Sequence, residues 1–186
     1  MTLNKIIKYS PYLSLLGLLI IFKPETFIMF GKIAFVGLLI IMLSRPLRDI
    51  FPKIKVLNKI VSHRKELGII VGCFAIAHSI GYFFDTKAPF LILLNSNIWS
   101  IDSFMAWGFV AFIVAIPLTL TSNIFSMIKM GGKNWKRLQY LAYVMFIATI
   151  IHIALINPSK TIPMSIITIL YIGILIYSFY LNKIKK

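Results

Sequence analysis

Apolar runs approaching twenty residues recur along this chain, and lysines and arginines gather in the gaps between them. A run of that length is apolar around the whole circumference of a helix, so it has no polar face to turn to water, and it is too long for a buried strand. It does match a bilayer, whose hydrocarbon core about 20 helical residues cross. Composition agrees. Hydrophobic residues make up 59% of the 186 residues and the mean hydropathy is +0.90, leaving more apolar surface than a soluble domain of this size can cover.

Six segments read as spanning helices: Tyr9 to Phe22, Phe27 to Leu43, Leu67 to Phe84, Trp99 to Leu120, Trp135 to Ile156 and Ile162 to Leu181. The opening residues, Met1 to Lys8 before an apolar run, have the look of a secretion signal, but no small-residue cleavage site follows, so a retained first helix is expected. The expected fold is therefore all-α: a polytopic membrane helix bundle of about six transmembrane helices, forming a single transmembrane domain over residues 1–186. No internal repeat or low-complexity tract stands out.

The formal net charge is +15. A charge of that size suits nucleic acid, yet the basic residues form short clusters between apolar runs, and no nucleic-acid-binding signature accompanies them. Arg45, Arg48, Lys53, Lys55, Lys59, Arg64 and Lys65 follow the second segment. Lys129, Lys133, Lys136 and Arg137 follow the fourth, and Lys5, Lys8, Lys183, Lys185 and Lys186 lie near the termini. With six spans, all of these fall on one side, leaving Lys23, Lys32, Lys87 and Lys160 for the other. The positive-inside rule then puts both termini in the cytoplasm. Membrane lipid is an expected partner, and the bacterial inner membrane the expected location.

Cys73 is the single cysteine and lies within an apolar run, which excludes an intrachain disulfide and a multi-thiolate zinc site. Polar residues inside apolar segments carry more information, because an ionisable group in hydrocarbon is costly. Two stand out, His78 in the third segment and His152 in the fifth. These two segments run in the same direction. His78 lies seven residues before Asp85, roughly 10 Å along a helix, and His152 five before Asn157, roughly 8 Å. Two imidazoles at matched depth can bind one haem iron from opposite sides if their helices face each other. Ala75, Gly81, Ala148 and Thr149, one turn from the histidines, leave space for a flat cofactor. The same small residues also suit plain helix packing, as does the Gly68-x-x-x-Gly72 spacing. Two histidines are too few ligands for zinc, and no intramembrane carboxylate suggests a proton relay. His63 sits in a basic loop and reads as solvated or set against lipid headgroups rather than as a ligand. Pro117 reads as a kink whose freed backbone groups Thr119, Thr121 and Ser122 satisfy.

Ordered motifs extend this reading. Ser44-Arg45-Pro46-Leu47-Arg48 follows the second segment, and Arg64-Lys65-Glu66-Leu67-Gly68 opens the third, ahead of Ala77-His78. Pro117-Leu118-Thr119-Leu120-Thr121-Ser122 ends the fourth. Gly132-Lys133-Asn134-Trp135-Lys136-Arg137-Leu138 and Leu141-Ala142-Tyr143 lead to His152. In order and spacing, over residues 44–157, these resemble the ferric-reductase-like transmembrane domain family, and within it the haem-binding membrane subunits of bacterial protein-methionine-sulfoxide reductase systems. The resemblance implies a ferric-reductase-like core over about residues 27–157, with His78 and His152 as axial ligands of a haem b iron. It implies electrons arriving from quinol or a cytoplasmic flavin reductase, with FMN or quinone as further cofactors. A periplasmic molybdenum-containing reductase would be the acceptor. Where the family has another histidine early in the fifth segment, this chain has Gln139, which implies one haem rather than two. The chain would then be an electron-transfer subunit of an oxidoreductase system rather than a complete enzyme. The alternative is a non-redox membrane protein, a small transporter or assembly factor, in which His78 and His152 bind nothing.

Overall fold

The computed structural model describes residues 23–87 and 95–184. The expected segment from Tyr9 to Phe22 lies outside the described residues, as do Lys5, Lys8, Lys185 and Lys186. Among the described residues eight α-helices follow one another: α1 (Phe27–Ile50), α2 (Lys55–Ser62), α3 (Arg64–Asp85), α4 (Phe104–Thr121), α5 (Ile124–Met130), α6 (Gly132–Gln139), α7 (Leu141–Ile156) and α8 (Thr161–Ile184). Among the described residues five helical stretches are long and apolar enough to span a membrane: α1, α3, α4, α6 with α7, and α8 with the short turn before it. They coincide with the second to sixth expected segments.

Their ends differ from the sequence reading in instructive ways. Helix α1 continues past Leu43 to Ile50, carrying Pro46 in its interior. The ring deletes one i→i−4 hydrogen bond there but the helix goes on, held by burial of Ser44 and Pro46 against its neighbours. The fourth segment does not begin at Trp99. Ser96–Trp99 is a separate 3-10 turn, and α4 starts at Phe104, where the Ser103 hydroxyl accepts from the Ala106 amide at 3.4 Å. Pro117 lies within α4 without ending it. The hydroxyls of Thr119, Thr121 and Ser122 donate to the carbonyls of Ala115, Pro117 and Leu118, each at 2.6 Å. None of these acceptors is the Ile113 carbonyl that Pro117 frees, and only Leu118 is among the last four carbonyls that a helix ending at Thr121 leaves without an amide. The fifth segment is jointed at Tyr140, between α6 and α7. The short helices α2 and α5 were not expected as helices. Neither buries a residue, and Val56, Phe125 and Ile128 are exposed on them, as on helices lying in a membrane interface.

The bundle is a row, α1 against α3, α3 against α4, α4 against α7, with α8 closing on α1 and α7. Its core joins Leu38, Ile41 and Met42 of α1 to Val71 of α3, Ala115 and Leu118 of α4, Met145, Phe146 and Ile150 of α7, and Met164 and Tyr171 of α8. At most 33% of any span's apolar window is buried within the protein. The remainder, including Ile169, Phe179 and Leu120, faces outward and needs lipid as its solvent. The Gly68-x-x-x-Gly72 pair serves close packing. A Cβ on Gly72 would overlap the Thr119 side chain, and one on Gly68 would meet the Ser122 hydroxyl at 3.5 Å, so α3 and α4 meet where α3 has no side chain.

Candidate functional site

Alternation of the spans gives the bundle two chemically different ends. At one end lie the N-termini of α1 and α4 with the C-terminal halves of α3 and α7, which carry His78 and His152. Helix α3 packs mainly on α1 and α4, and α7 mainly on α4, so each histidine meets a different helix start. The His78 ring bonds through Nδ1 to the carbonyl oxygen of Phe27, and the His152 ring through Nδ1 to that of Phe104, each at 2.8 Å. A carbonyl can only accept, so Nδ1 carries the proton in both rings. Each Nε2 is left with an in-plane lone pair, the form in which imidazole binds a metal.

A second feature recurs beside each ring. A Cβ built on Gly31 would lie 2.8 Å from Nδ1 of His78, and one built on Gly108 would lie 2.8 Å from Nδ1 of His152. Both glycines stand four residues after the phenylalanine whose carbonyl accepts, so Phe27-x-x-x-Gly31 and Phe104-x-x-x-Gly108 are two copies of one seat. The carbonyl of the first turn orients the imidazole, and the bare α-carbon one turn later lets the ring lie close. The phenyl rings add contacts: Phe27 stacks on His78 with centroids 5.7 Å apart, and Phe104 lies 6.2 Å from His152. The sequence reading looked for space one turn away on the histidines' own helices, at Ala75, Gly81, Ala148 and Thr149. It missed these seats, which belong to the facing helices.

The two imidazoles meet. Their centroids are 6.2 Å apart with the ring planes at 75°. Two metal–nitrogen bonds of about 2.0 Å on opposite sides of one iron, plus the half-widths of the two rings, require a spacing of about 6 Å. Among the described residues no group of three or more His, Cys, Asp or Glu side chains comes together. A pair of imidazoles with no third protein ligand suits an iron whose remaining positions a macrocycle fills, and is a poor set for zinc. The residues present fit a haem.

The other end differs in every respect. Gln139, thirteen residues before His152, reaches the Thr121 hydroxyl at 3.5 Å, while Trp135 Nε1 donates to the Thr121 carbonyl at 2.8 Å. Gln139 lines a cavity of about 830 Å³ together with Arg45, Arg48, Arg64 and Lys136. His63 lies outside this lining and faces Glu66, with Nδ1 3.9 Å from the carboxylate. Cys73 is half-buried and free.

Comparison with known proteins accords with this geometry. Residues 30–150 match the family model described as ferric reductase like transmembrane component. The chain is 31% identical over 125 residues to the magnetosome protein MamZ of Magnetospirillum gryphiswaldense, covering 67% of this chain and 18% of that one. It is 29% identical over 121 residues to the protein-methionine-sulfoxide reductase heme-binding subunit MsrQ of Agrobacterium fabrum, covering 65% and 53%. The MsrQ of Rhizobium meliloti is 26% identical over 129 residues, covering 67% and 56%. The matches thus span about half the length of these MsrQ relatives and less than a fifth of MamZ. No solved structure matches the chain. With the family model covering well over half of its residues, the chain belongs to the ferric reductase like transmembrane component family, as a multi-pass protein of the bacterial inner membrane.

Proposed function

We propose that this chain is the electron-transferring membrane subunit of an oxidoreductase system, and that His78 and His152 hold one b-type haem at the end of the bundle away from the basic clusters. The observation that carries this reading is the paired geometry. Two imidazoles stand 6.2 Å apart, each with Nδ1 committed to a backbone carbonyl and Nε2 left to ligate. Haem bound there supplies a one-electron couple, its iron alternating between the ferric and ferrous states.

The chain's own part is to hold and to insulate. The carbonyls of Phe27 and Phe104 fix ring orientation and raise imidazole basicity, which favours the oxidised iron. The apolar side chains of α1, α3, α4 and α7 exclude water. Lys32, Lys87 and Lys160 are exposed on the same side of the bundle, where anionic propionates would find cations.

The charge clusters support an orientation with the basic end in the cytoplasm and the histidines toward the periplasm. In this reading the whole chain is one membrane domain with both termini cytoplasmic. Quinol or a flavin donor, with FMN or quinone as the carrier, supplies electrons from the basic side. Similarity to the heme-binding subunits of protein-methionine-sulfoxide reductase points to a periplasmic reductase of oxidised methionine as acceptor, whose substrate chemistry takes place outside this chain.

The test is the visible spectrum of detergent-purified protein from haem-replete cells, before and after dithionite. A Soret band with sharp bands on reduction, at one haem per chain by pyridine haemochrome, is expected. A colourless wild-type protein overturns the reading and leaves a non-redox membrane role.

A further inference from the structure

The basic end of the bundle has an arrangement of its own, which does not depend on whether the histidines hold a haem. There the ends of α1, α3, α6 and α8 surround the cavity of about 830 Å³. Among the described residues Arg45, Arg48, Arg64, Lys65 and Lys136 line it, with Asp49 as the single carboxylate. Five cations against one anion leave the lining at a formal charge of +4. Asp49 is already engaged: Arg48 donates to it at 2.7 Å, Asn182 at 3.0 Å and Ser178 at 3.4 Å. Among the described residues Arg45 and Arg64 form no ion pair. Arg64 is half-buried at the start of a spanning helix, where a guanidinium without a counter-ion is costly.

The deeper wall is apolar, made by Leu38, Val71, Leu118 and Met145. Its rim includes Tyr140 and Phe179, both exposed, so the cavity reaches the outer surface of the bundle where lipid lies. A ligand that satisfies both parts has an anionic head for the guanidiniums and an apolar body for the wall. We propose that this cavity binds an anionic phospholipid of the adjacent leaflet, its phosphate held by Arg45 and Arg64 and its acyl chain laid along α1, α3 and α4. Guanidinium forks pair bidentately with phosphate oxygens, which a lone ammonium does not do. A zwitterionic head brings its own cation and so leaves the excess charge uncompensated. An anionic head reduces it, which makes the site selective by charge.

The experiment is native mass spectrometry of the full chain purified in mild detergent, with the co-purifying lipid extracted and identified. One phosphatidylglycerol or cardiolipin per chain is expected on the wild type. Delipidated protein should rise in Tm when phosphatidylglycerol is added back and not when phosphatidylethanolamine is. The paired variant Arg45→Gln/Arg64→Gln should bind phosphatidylglycerol about tenfold more weakly, or less well still, whereas Lys55→Gln/Lys59→Gln on the exposed helix α2 should bind as wild type. If the arginine pair fails to fold, the wild-type add-back decides. Equal Tm rises with the two lipids overturn the proposal. So do unchanged lipid retention in the arginine variant, or a stoichiometric flavin or free phosphate recovered in place of lipid.

Discussion

The two ends of the bundle are built on the same helices to opposite rules. At the histidine end every polar atom that matters has one assigned partner: an imidazole, a carbonyl at 2.8 Å and a glycine that leaves room. At the basic end charge is only partly paired: Arg48 meets Asp49, but among the described residues Arg45 and Arg64 form no ion pair. Fourteen residues before His78 stands Arg64, and thirteen before His152 stands Gln139, and both line a cavity rather than touch each other through a fixed contact. A neutral ring with one proton assigned can be held rigidly in hydrocarbon at little cost. A guanidinium cannot, and needs an anion from outside the chain. One end is therefore suited to a fixed cofactor and the other to an exchangeable anionic ligand.

The sharpest way to break this contrast is at the imidazoles. His78→Ala and His152→Ala should each abolish the reduced b-type spectrum, because a single remaining ligand leaves the iron without one axial bond. A haem content near that of the wild type in either variant would remove the histidine end from consideration as a cofactor site.

Next in size are the seats. In Gly31→Ala and Gly108→Ala the new methyl would lie 2.8 Å from a ring nitrogen that is itself only 2.8 Å from its carbonyl. The imidazole must move and that hydrogen bond must weaken. Loss of an orienting contact of this kind costs about 10- to 100-fold in affinity for the bound metal group. Haem titration into apoprotein should show that loss for both glycines, with a change in spin state. A response confined to one of them would mean that the two seats are not equivalent.

That equivalence explains how far the sequence could be read. The spans were legible because apolar length and basic clusters are properties of single segments, so α1, α3, α4, α7 and α8 followed from counting. His78 and His152 were legible because an ionisable residue in an apolar run is conspicuous wherever it occurs. Gly31 and Gly108 were not. A glycine in a membrane helix has many uses, and its role here depends on which helix faces which. The clue present in the sequence was the repeat Phe-x-x-x-Gly at the start of two spans, four residues being one helical turn. Helix ends were hidden for a related reason. The second segment reads as ending at Leu43, and only packing against neighbouring helices carries α1 on through Pro46 to Ile50.

A smaller effect separates packing glycines from seating glycines. Gly72→Ala places a methyl within 2.8 Å of the Thr119 Cβ and pushes α3 off α4 at the core, away from both histidines. Overpacking of this kind costs about 1–3 kcal/mol. The Tm in detergent should fall while the reduced spectrum keeps its shape, and Thr119→Ala added to the same chain should restore much of the loss. A spectral change at Gly72 as large as that at Gly31 would show that the two ends are mechanically one site.

The smallest expected effect is at Gln139. Replacing it with histidine gives the basic end one imidazole, thirteen residues from His152 and roughly 20 Å along the helix. A second bis-imidazole site needs a partner ring, and the side chains lining that cavity with Gln139 include arginines, lysines, tyrosines and a tryptophan but no histidine. Gln139→His should therefore leave haem at one per chain by pyridine haemochrome, with the reduced spectrum unchanged. A rise to two would mean that the basic end already holds a usable axial ligand opposite position 139. The cavity would then belong to a cofactor after all, and the division of labour between the two ends would fail.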